Sequence, residues 1–304
     1  LNTLSQVALT NNYVRPIINN ENMINIKNGR HPVIEKKLNE NEFIANDTNI
    51  GEDDNIIQII TGPNMAGKST YMRQMAIIII MAQMGSFVPA SYAEIGICDK
   101  VFTRIGASDN ISKGESTFML EMNEVSNILK NATNKSFVIL DEVGRGTSSD
   151  DGLSIAMALV DYISKKKKFK TVFATHFHEL TILEDELSNV TNLKIEILKE
   201  NNNLVFLRKI KEGRSSRSYG IDVAKLSGLP KEITDSAQKF MNNLSSSDGI
   251  NLNKSSDIKS TIDKMSEDKY KNLKSEANNI NINELTPIEA INKLNKFVEI
   301  IGEL

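Results

Sequence analysis

The stretch from Ile56 to Met84 constrains this chain most. A β-branched run, Ile56-Ile57-Gln58-Ile59-Ile60, enters Thr61-Gly62-Pro63-Asn64-Met65-Ala66-Gly67-Lys68-Ser69-Thr70, and a helix-like segment follows to Met84, stopped by Gly85. Cradling a phosphate requires backbone N–H groups turned inward with no side chain in the way. Gly62 and Gly67 permit that, and Lys68 opens a helix whose N-terminus favours anions. A strand before the loop and a Gly-terminated helix after it supply the context that a bare G-x-x-x-x-G-K-S string lacks. The segment reads as a nucleoside triphosphate site formed by Gly62, Pro63, Asn64, Met65, Ala66, Gly67, Lys68, Ser69 and Thr70. Lys68 is expected to reach the β- and γ-phosphates, and Ser69 a Mg²⁺ ion.

With 304 residues the chain can bury a large core as one large domain or two smaller ones. A net charge of −3 argues against wrapping nucleic acid by overall basicity, so any DNA contact is expected to be local or indirect. Cys98 is the single cysteine, which excludes an internal disulfide framework and fits a reducing compartment. No basic-then-apolar leader is visible, and the longest apolar run, Ala76 to Ala82, is far too short to span a bilayer. The expected location is the cytoplasm, without membrane contact.

Leu1 to Asn12 has helical spacing at Leu1, Leu4, Val7 and Ala8 without a preceding cap and reads as the tail of a longer helix, with residues 1–20 as the end of that helical segment, so the chain reads as a fragment. Met23 to Phe43 reads as β-rich, with turns at Asn28-Gly29 and His31-Pro32. Strands then alternate with helices: strand over Val101–Arg104, helix over Phe118–Leu129, strand over Phe137–Leu140, helix over Leu153–Ile163 and strand over Thr171–Ala174. This alternation predicts an α/β fold with crossover helices. Leu193–Leu198 and Leu204–Ile210 flank Asn201-Asn202-Asn203 as a hairpin at the sheet edge, and Met72, Met75, Met81 and Met84 are expected in the core behind the loop. Two helices, Ile221–Leu226 and Lys231–Leu244, flank Gly228-Leu229-Pro230 as a small helix-turn-helix. Residues 245–282 are Ser-, Asn- and Lys-rich and read as a flexible linker, after which Thr286 caps a final amphipathic helix.

Phe137-Val138-Ile139-Leu140 ends in Asp141-Glu142, placing two acids at the carboxyl edge of a central strand beside the phosphate loop. Asp141 is expected to hold Mg²⁺ together with Ser69, and Glu142 to orient and deprotonate the attacking water. His176 follows the strand ending at Ala174 and so lies at the same edge, where a γ-phosphate sensor would sit; His176 and His178 do not have a zinc spacing. In the glycine-punctuated segment Gly106 to Phe118, either Ser116 or Thr117 can cap the next helix. Lys165 to Lys168 reads as a solvated helix end.

Taken together, Thr61 to Tyr71, Gly114 to Met122, Asp141 to Thr147, Ala174 to Leu180 and Ser218 to Ile221 resemble the MutS family of DNA mismatch repair ATPases. Specificity lies in Pro63-Asn64-Met65 and in Ser116-Thr117-Phe118-Met119. The resemblance covers most of Leu1 to Leu244, and Leu285-Thr286-Pro287-Ile288-Glu289-Ala290 is similar to a C-terminal self-association helix of many bacterial members. It implies an ABC-type P-loop NTPase with a mostly parallel central sheet over 21–212, a helix-turn-helix dimerisation segment over 213–244 and a self-association helix over 283–304. The implied cofactors are ATP and Mg²⁺, and the implied assembly is a homodimer in which Ser116 contacts the partner's nucleotide. Phe43 would stack on the adenine, and Lys68, Glu142 and His176 would be catalytic. MutL is the implied partner, and DNA would be held mainly by mismatch-reading, connector and lever regions upstream of Leu1. Ser149-Asp150 and Asp222 depart from the family pattern and weaken the dimer contacts inferred there, and no sliding-clamp motif is visible in the linker. An SMC-type ATPase is disfavoured by Ser116-Thr117-Phe118, and a MutS branch with a nuclease tail is disfavoured too. A nucleotide-dependent self-association module with negligible turnover remains the alternative from a different class.

Overall fold

A computed structural model describes residues 2–38, 42–51, 55–63, 66–106, 117–200, 203–215 and 219–246. In chain order the elements are α1 (Asn2–Thr10), β1 (Ile17–Asn19), β2 (Ile24–Gly29), β3 (Asn46–Ile50), β4 (Ile57–Thr61), α2 (Lys68–Gln83), β5 (Tyr92–Gly96), β6 (Val101–Arg104), α3 (Thr117–Asn131), β7 (Phe137–Asp141), α4 (Ser149–Tyr162), β8 (Lys170–Thr175), α5 (Leu183–Glu186), β9 (Val190–Glu200), β10 (Asn203–Glu212), α6 (Gly220–Leu226) and α7 (Lys231–Ser246). The chain divides into two compact units, Leu1–Val223 and Ala224–Leu304.

The first unit is built on a six-stranded sheet of order β10-β9-β4-β8-β7-β6. All neighbours pair in parallel except the β9–β10 hairpin at one edge. The central strands are buried throughout and mostly apolar because both faces are covered. Ile57, Ile59, Val138, Leu140 and Phe173 face α3 and α4, while Ile60, Phe137, Ile139, Val172 and Ala174 face α2. This period-two division places the carboxyl ends of β4, β7 and β8 side by side. Beyond α2 lies a second sheet of order β1-β5-β2-β3, whose Ile24, Ile26, Ile50 and Ile95 join the α2 core. The two sheets are stitched by Asn46, whose amide nitrogen donates to the Arg208 carbonyl at 2.9 Å and whose amide oxygen accepts the Ile210 N–H at 2.7 Å.

Several sequence expectations are corrected. The opening helix ends at Thr10; Asn12 is left-handed (φ 52), Pro16 bars further helix, and Ile17–Asn19 pairs in parallel with β5. Asn28-Gly29 is not a reversal: both residues lie in β2, where left-handed Asn28 (φ 49) makes a register shift against β3 and its N–H donates to Asp47. The turn at His31-Pro32 is present, with His31 Nδ1 accepting from Val33 and Ile34. Met72 and Met75 are buried, but Met84, at the last turn of α2, is 58% exposed. The second helix after Gly228-Leu229-Pro230 is α7, whose first i→i+4 bond runs from Thr234 to the Pro230 carbonyl. The linker from 247 onward and the helix at 283–304 lie outside the described residues.

Candidate functional site

The glycine-bearing loop begins where β4 stops. Gly62 has φ +142 and Gly67 has φ +108, left-handed-side values that suit glycine alone, and they turn the backbone into the N-terminus of α2. Lys68 is 1% exposed, and its ammonium donates to the Gly62 carbonyl across the loop. Burial lowers its pKa to about 8, against the pull of Glu142 and Asp141. Ser69 Oγ donates to Asp141 Oδ2 at 3.0 Å, joining the first turn of α2 to the end of β7. Burial also raises the Asp141 pKa, opposed by the Ser69 hydrogen bond.

Glu142 follows directly, in a left-handed conformation (φ 57) that lifts it off the strand, with its N–H donating to the Ala174 carbonyl at 2.9 Å. Such strain in a non-glycine residue concentrates at functional sites. His176 Nε2 lies 2.6 Å from Glu142 Oε1, and Arg145 forms an ion pair with Oε2. The His176 hydrogen bond first and Arg145 after it, working against desolvation, bring the Glu142 pKa down to about 2. A cavity of about 540 Å³ opens here, lined among others by Ser69, Arg73, Asp141, Glu142 and Arg145. Among the described residues no cluster of three or more His, Cys, Asp or Glu side chains can hold a metal by itself. The hard oxygen donors near the loop are Ser69 Oγ and Asp141 Oδ2, which suits a Mg²⁺ ion that keeps much of its water shell.

The sequence model of the MutS domain V family matches residues 58–245, more than half of the chain. The chain belongs to the MutS domain V family. A DNA mismatch repair protein MutS of Finegoldia magna is 50% identical over 98% of this chain and 35% of its own length. One from Clostridium kluyveri is 52% identical over 97% of this chain and 35% of its own length, and one from Caldicellulosiruptor saccharolyticus is 55% identical over 81% and 29%. The chain thus spans about a third of the curated relatives it matches.

In this MutS domain V chain the predicted Lys68, Ser69, Asp141, Glu142 and His176 converge on one sheet edge. Phe43 is half-buried just before β3, and Thr70 is half-buried in the first turn of α2. Pro63 and Ala66 are buried in the loop, whereas Asn64, Met65 and Ser116 lie outside the described residues. Sequence reasoning missed Arg145 as a partner of Glu142; its Gly144-Arg145-Gly146 setting directly after the acids was the available signal. It also missed Arg208, which a register shift in β10 sets in a left-handed conformation (φ 53). A Cβ built on Gly67 would lie 3.9 Å from Arg208 Cβ, so this strand edge borders the loop. The buried Arg104–Glu121 pair also went unread, because it joins β6 to α3 across the segment between them.

Proposed function

We propose that this chain is the Mg²⁺-dependent ATP-hydrolysing part of a MutS-type mismatch repair protein, using ATP to switch a dimer on DNA. The convergence of Lys68, Ser69, Asp141, Glu142 and His176 at the ends of β4, β7 and β8 carries the reading. In the proposed ABC-type P-loop arrangement, the loop amides and the Lys68 ammonium take the β- and γ-phosphates, and Phe43 stacks on the adenine. Ser69 and Asp141 would hold Mg²⁺, which supplies charge neutralisation on the phosphate oxygens when bound.

The pairing of Glu142 with two cations suggests how its chemistry is gated. A carboxylate held near pKa 2 accepts a proton poorly. The γ-phosphate of ATP competes for His176 and Arg145, both partly exposed, and frees Glu142 to turn to a water in line with the γ-phosphorus. Glu142 then takes the water's proton as the oxygen attacks and ADP leaves, with His176 contacting the transferred phosphoryl group.

By family likeness, residues 21–212 form the ATPase, 213–244 a helix-turn-helix that supports the dimer, 245–282 a linker and 283–304 a helix for higher assembly. Ser116 would contact the nucleotide of the partner subunit. MutL is the partner that would read the ATP state, DNA would be held mainly by other parts of the longer protein, and the cytoplasm is the site of action. No helix among the described residues is long and apolar enough to cross a membrane.

Mg²⁺-ATP hydrolysis measured against protein concentration tests this. Specific activity should rise with concentration, Glu142→Ala should bind ATP but not turn it over, and Ser116→Ala should lose turnover as well. Turnover that survives Glu142→Ala would reject the assignment.

A further inference from the structure

Three arginines border the cavity at the end of β7, and two of them are already committed to carboxylates. Arg104, 6% exposed, is held by Glu121 at 3.3 Å and by Glu124 at 2.9 Å, and Arg145 is paired with Glu142. Arg73 differs from both: it is exposed, it lines the same cavity, and among the described residues it makes no hydrogen bond and no ion pair. The helix explains its place. Arg73 lies one turn beyond Ser69 in α2, and residues four apart share a helix face with their Cβ atoms about 5–6 Å apart. Helical side chains lean toward the N-terminus, so Arg73 is directed back along α2 toward Ser69 and Asp141, whose side chains meet at 3.0 Å.

We propose that Arg73 forms a subsite for inorganic phosphate, one helical turn beyond Ser69, that receives the cleaved phosphate before it leaves the protein. This inference rests on the ATPase reading above. In that reaction the water oxygen joins the γ-phosphorus, the bond to the ADP oxygen breaks and Glu142 takes the proton, so orthophosphate is set free beside carboxylates that repel it. Lys68 stays with the β-phosphate of ADP, and Asp141 is engaged by Mg²⁺. The cavity's remaining uncompensated charge among the described residues is the Arg73 guanidinium, a planar fork of donors that matches two phosphate oxygens at once. At about 540 Å³ the cavity is larger than one tetrahedral oxyanion needs, so the anion can step away from ADP without yet entering bulk water. Arg73 takes no part in breaking the bond; it binds the product.

Equilibrium dialysis of radiolabelled inorganic phosphate against the full chain loaded with Mg²⁺ and ADP reads the subsite without turnover. Arg73→Ala should weaken phosphate binding by about tenfold, the loss expected of a partly solvated charge-assisted contact, with ADP affinity within about twofold of the unmodified chain. Arg73→Lys keeps the charge and loses the fork, and should weaken phosphate binding by about threefold. In single turnovers of ATP, phosphate reaching a fluorescent phosphate sensor should trail cleavage measured by acid quench, and trail it by longer in Arg73→Ala. Phosphate binding that is the same in both variants as in the unmodified chain would overturn the inference. So would a fall in ADP affinity that matches the fall in phosphate affinity, an ADP-loaded unmodified chain that binds no phosphate, or a lag unchanged in Arg73→Ala. A Glu142→Ala control separates the two levels: if it abolishes cleavage while Arg73→Ala binds phosphate normally, only the subsite falls. If the unmodified chain does not cleave ATP, or Glu142→Ala still does, the ATPase reading falls and the product subsite with it.

Discussion

Gly152→Ala is the most revealing single substitution because it separates stability from geometry. The added Cβ would sit 2.2 Å from the Gly144 carbonyl oxygen, 3.0 Å from the Gly144 carbonyl carbon and 3.1 Å from Phe177 Cζ. Since unstrained contacts begin near about 3.4 Å, the Gly144 carbonyl must retreat by roughly 1 Å. A backbone carbonyl cannot escape by changing rotamer, so the loop after Glu142 moves with it. Overpacking of this kind costs about 1–3 kcal/mol. Alanine in place of glycine inside a helix recovers about 1 kcal/mol, leaving a net loss of about 0–2 kcal/mol. For a domain of this size that is a drop in Tm of about 0–8 °C. The effect on turnover should be far larger, because misplacing a reacting group by about 1 Å costs about a hundredfold in rate. Steady-state phosphate release, nucleotide binding and calorimetric melting on the same preparation give the comparison. The expected result is a folded protein that binds ATP and hydrolyses it about a hundred times more slowly. A folded Gly152→Ala protein with kcat within about threefold of the unmodified chain would refute the idea that this glycine contact fixes Glu142.

Four further outcomes are expected. The Lys68 pKa in the nucleotide-free protein is about 8, below its ordinary 10.5, and bound phosphate favours the ammonium, so ATP binding above pH 8 takes up a proton. Affinity, followed by isothermal titration calorimetry, should fall by about tenfold per pH unit above pH 8; a flat profile to pH 9.5 would contradict the assigned burial. The same lowered pKa makes the charged form a cost to the nucleotide-free fold below pH 8, so this residue's contribution to stability should improve, not worsen, as pH rises toward 10.5. Asn46→Ala would strand the Ile210 N–H and remove a donor from the Arg208 carbonyl, and should cost about 2–4 kcal/mol in denaturant unfolding; a loss under about 1 kcal/mol would show that water replaces the amide. Cys98 is 4% exposed with a thiol pKa raised by burial, so it should resist an aromatic disulfide reagent in the folded chain and react on unfolding; rapid native reaction would contradict its burial.

Much of the site was legible because its signals are local. Glycine at two left-handed turns, a lysine at a helix start and two acids ending an apolar strand are all encoded within a few residues of where they act. The hairpin at β9–β10 was readable from two apolar runs around three asparagines. What escaped was built from distant pieces. β1 and β5 are short strands of 3 and 5 residues, and they are strands because residues 17–19 pair with 94–96 and residues 92–95 pair with β2, both distant in the chain. Met84 is apolar and on the right helix, yet α2 runs past its cover there, and periodicity cannot say where cover ends.

The sequence by itself determined the local parts of the candidate site: a glycine-bearing loop with a lysine, a carboxylate pair and a histidine, each at the end of a strand whose apolar pattern requires a sheet buried on both faces. Only the tertiary structure decided how that chemistry is held. Glu142 is paired with both His176 and Arg145, Arg104 is buried against Glu121, and Gly144 and Gly152 approach each other closely. Strand and loop signals depend on neighbours in the chain, whereas ion pairs and backbone contacts between elements depend on which faces the sheet order brings together.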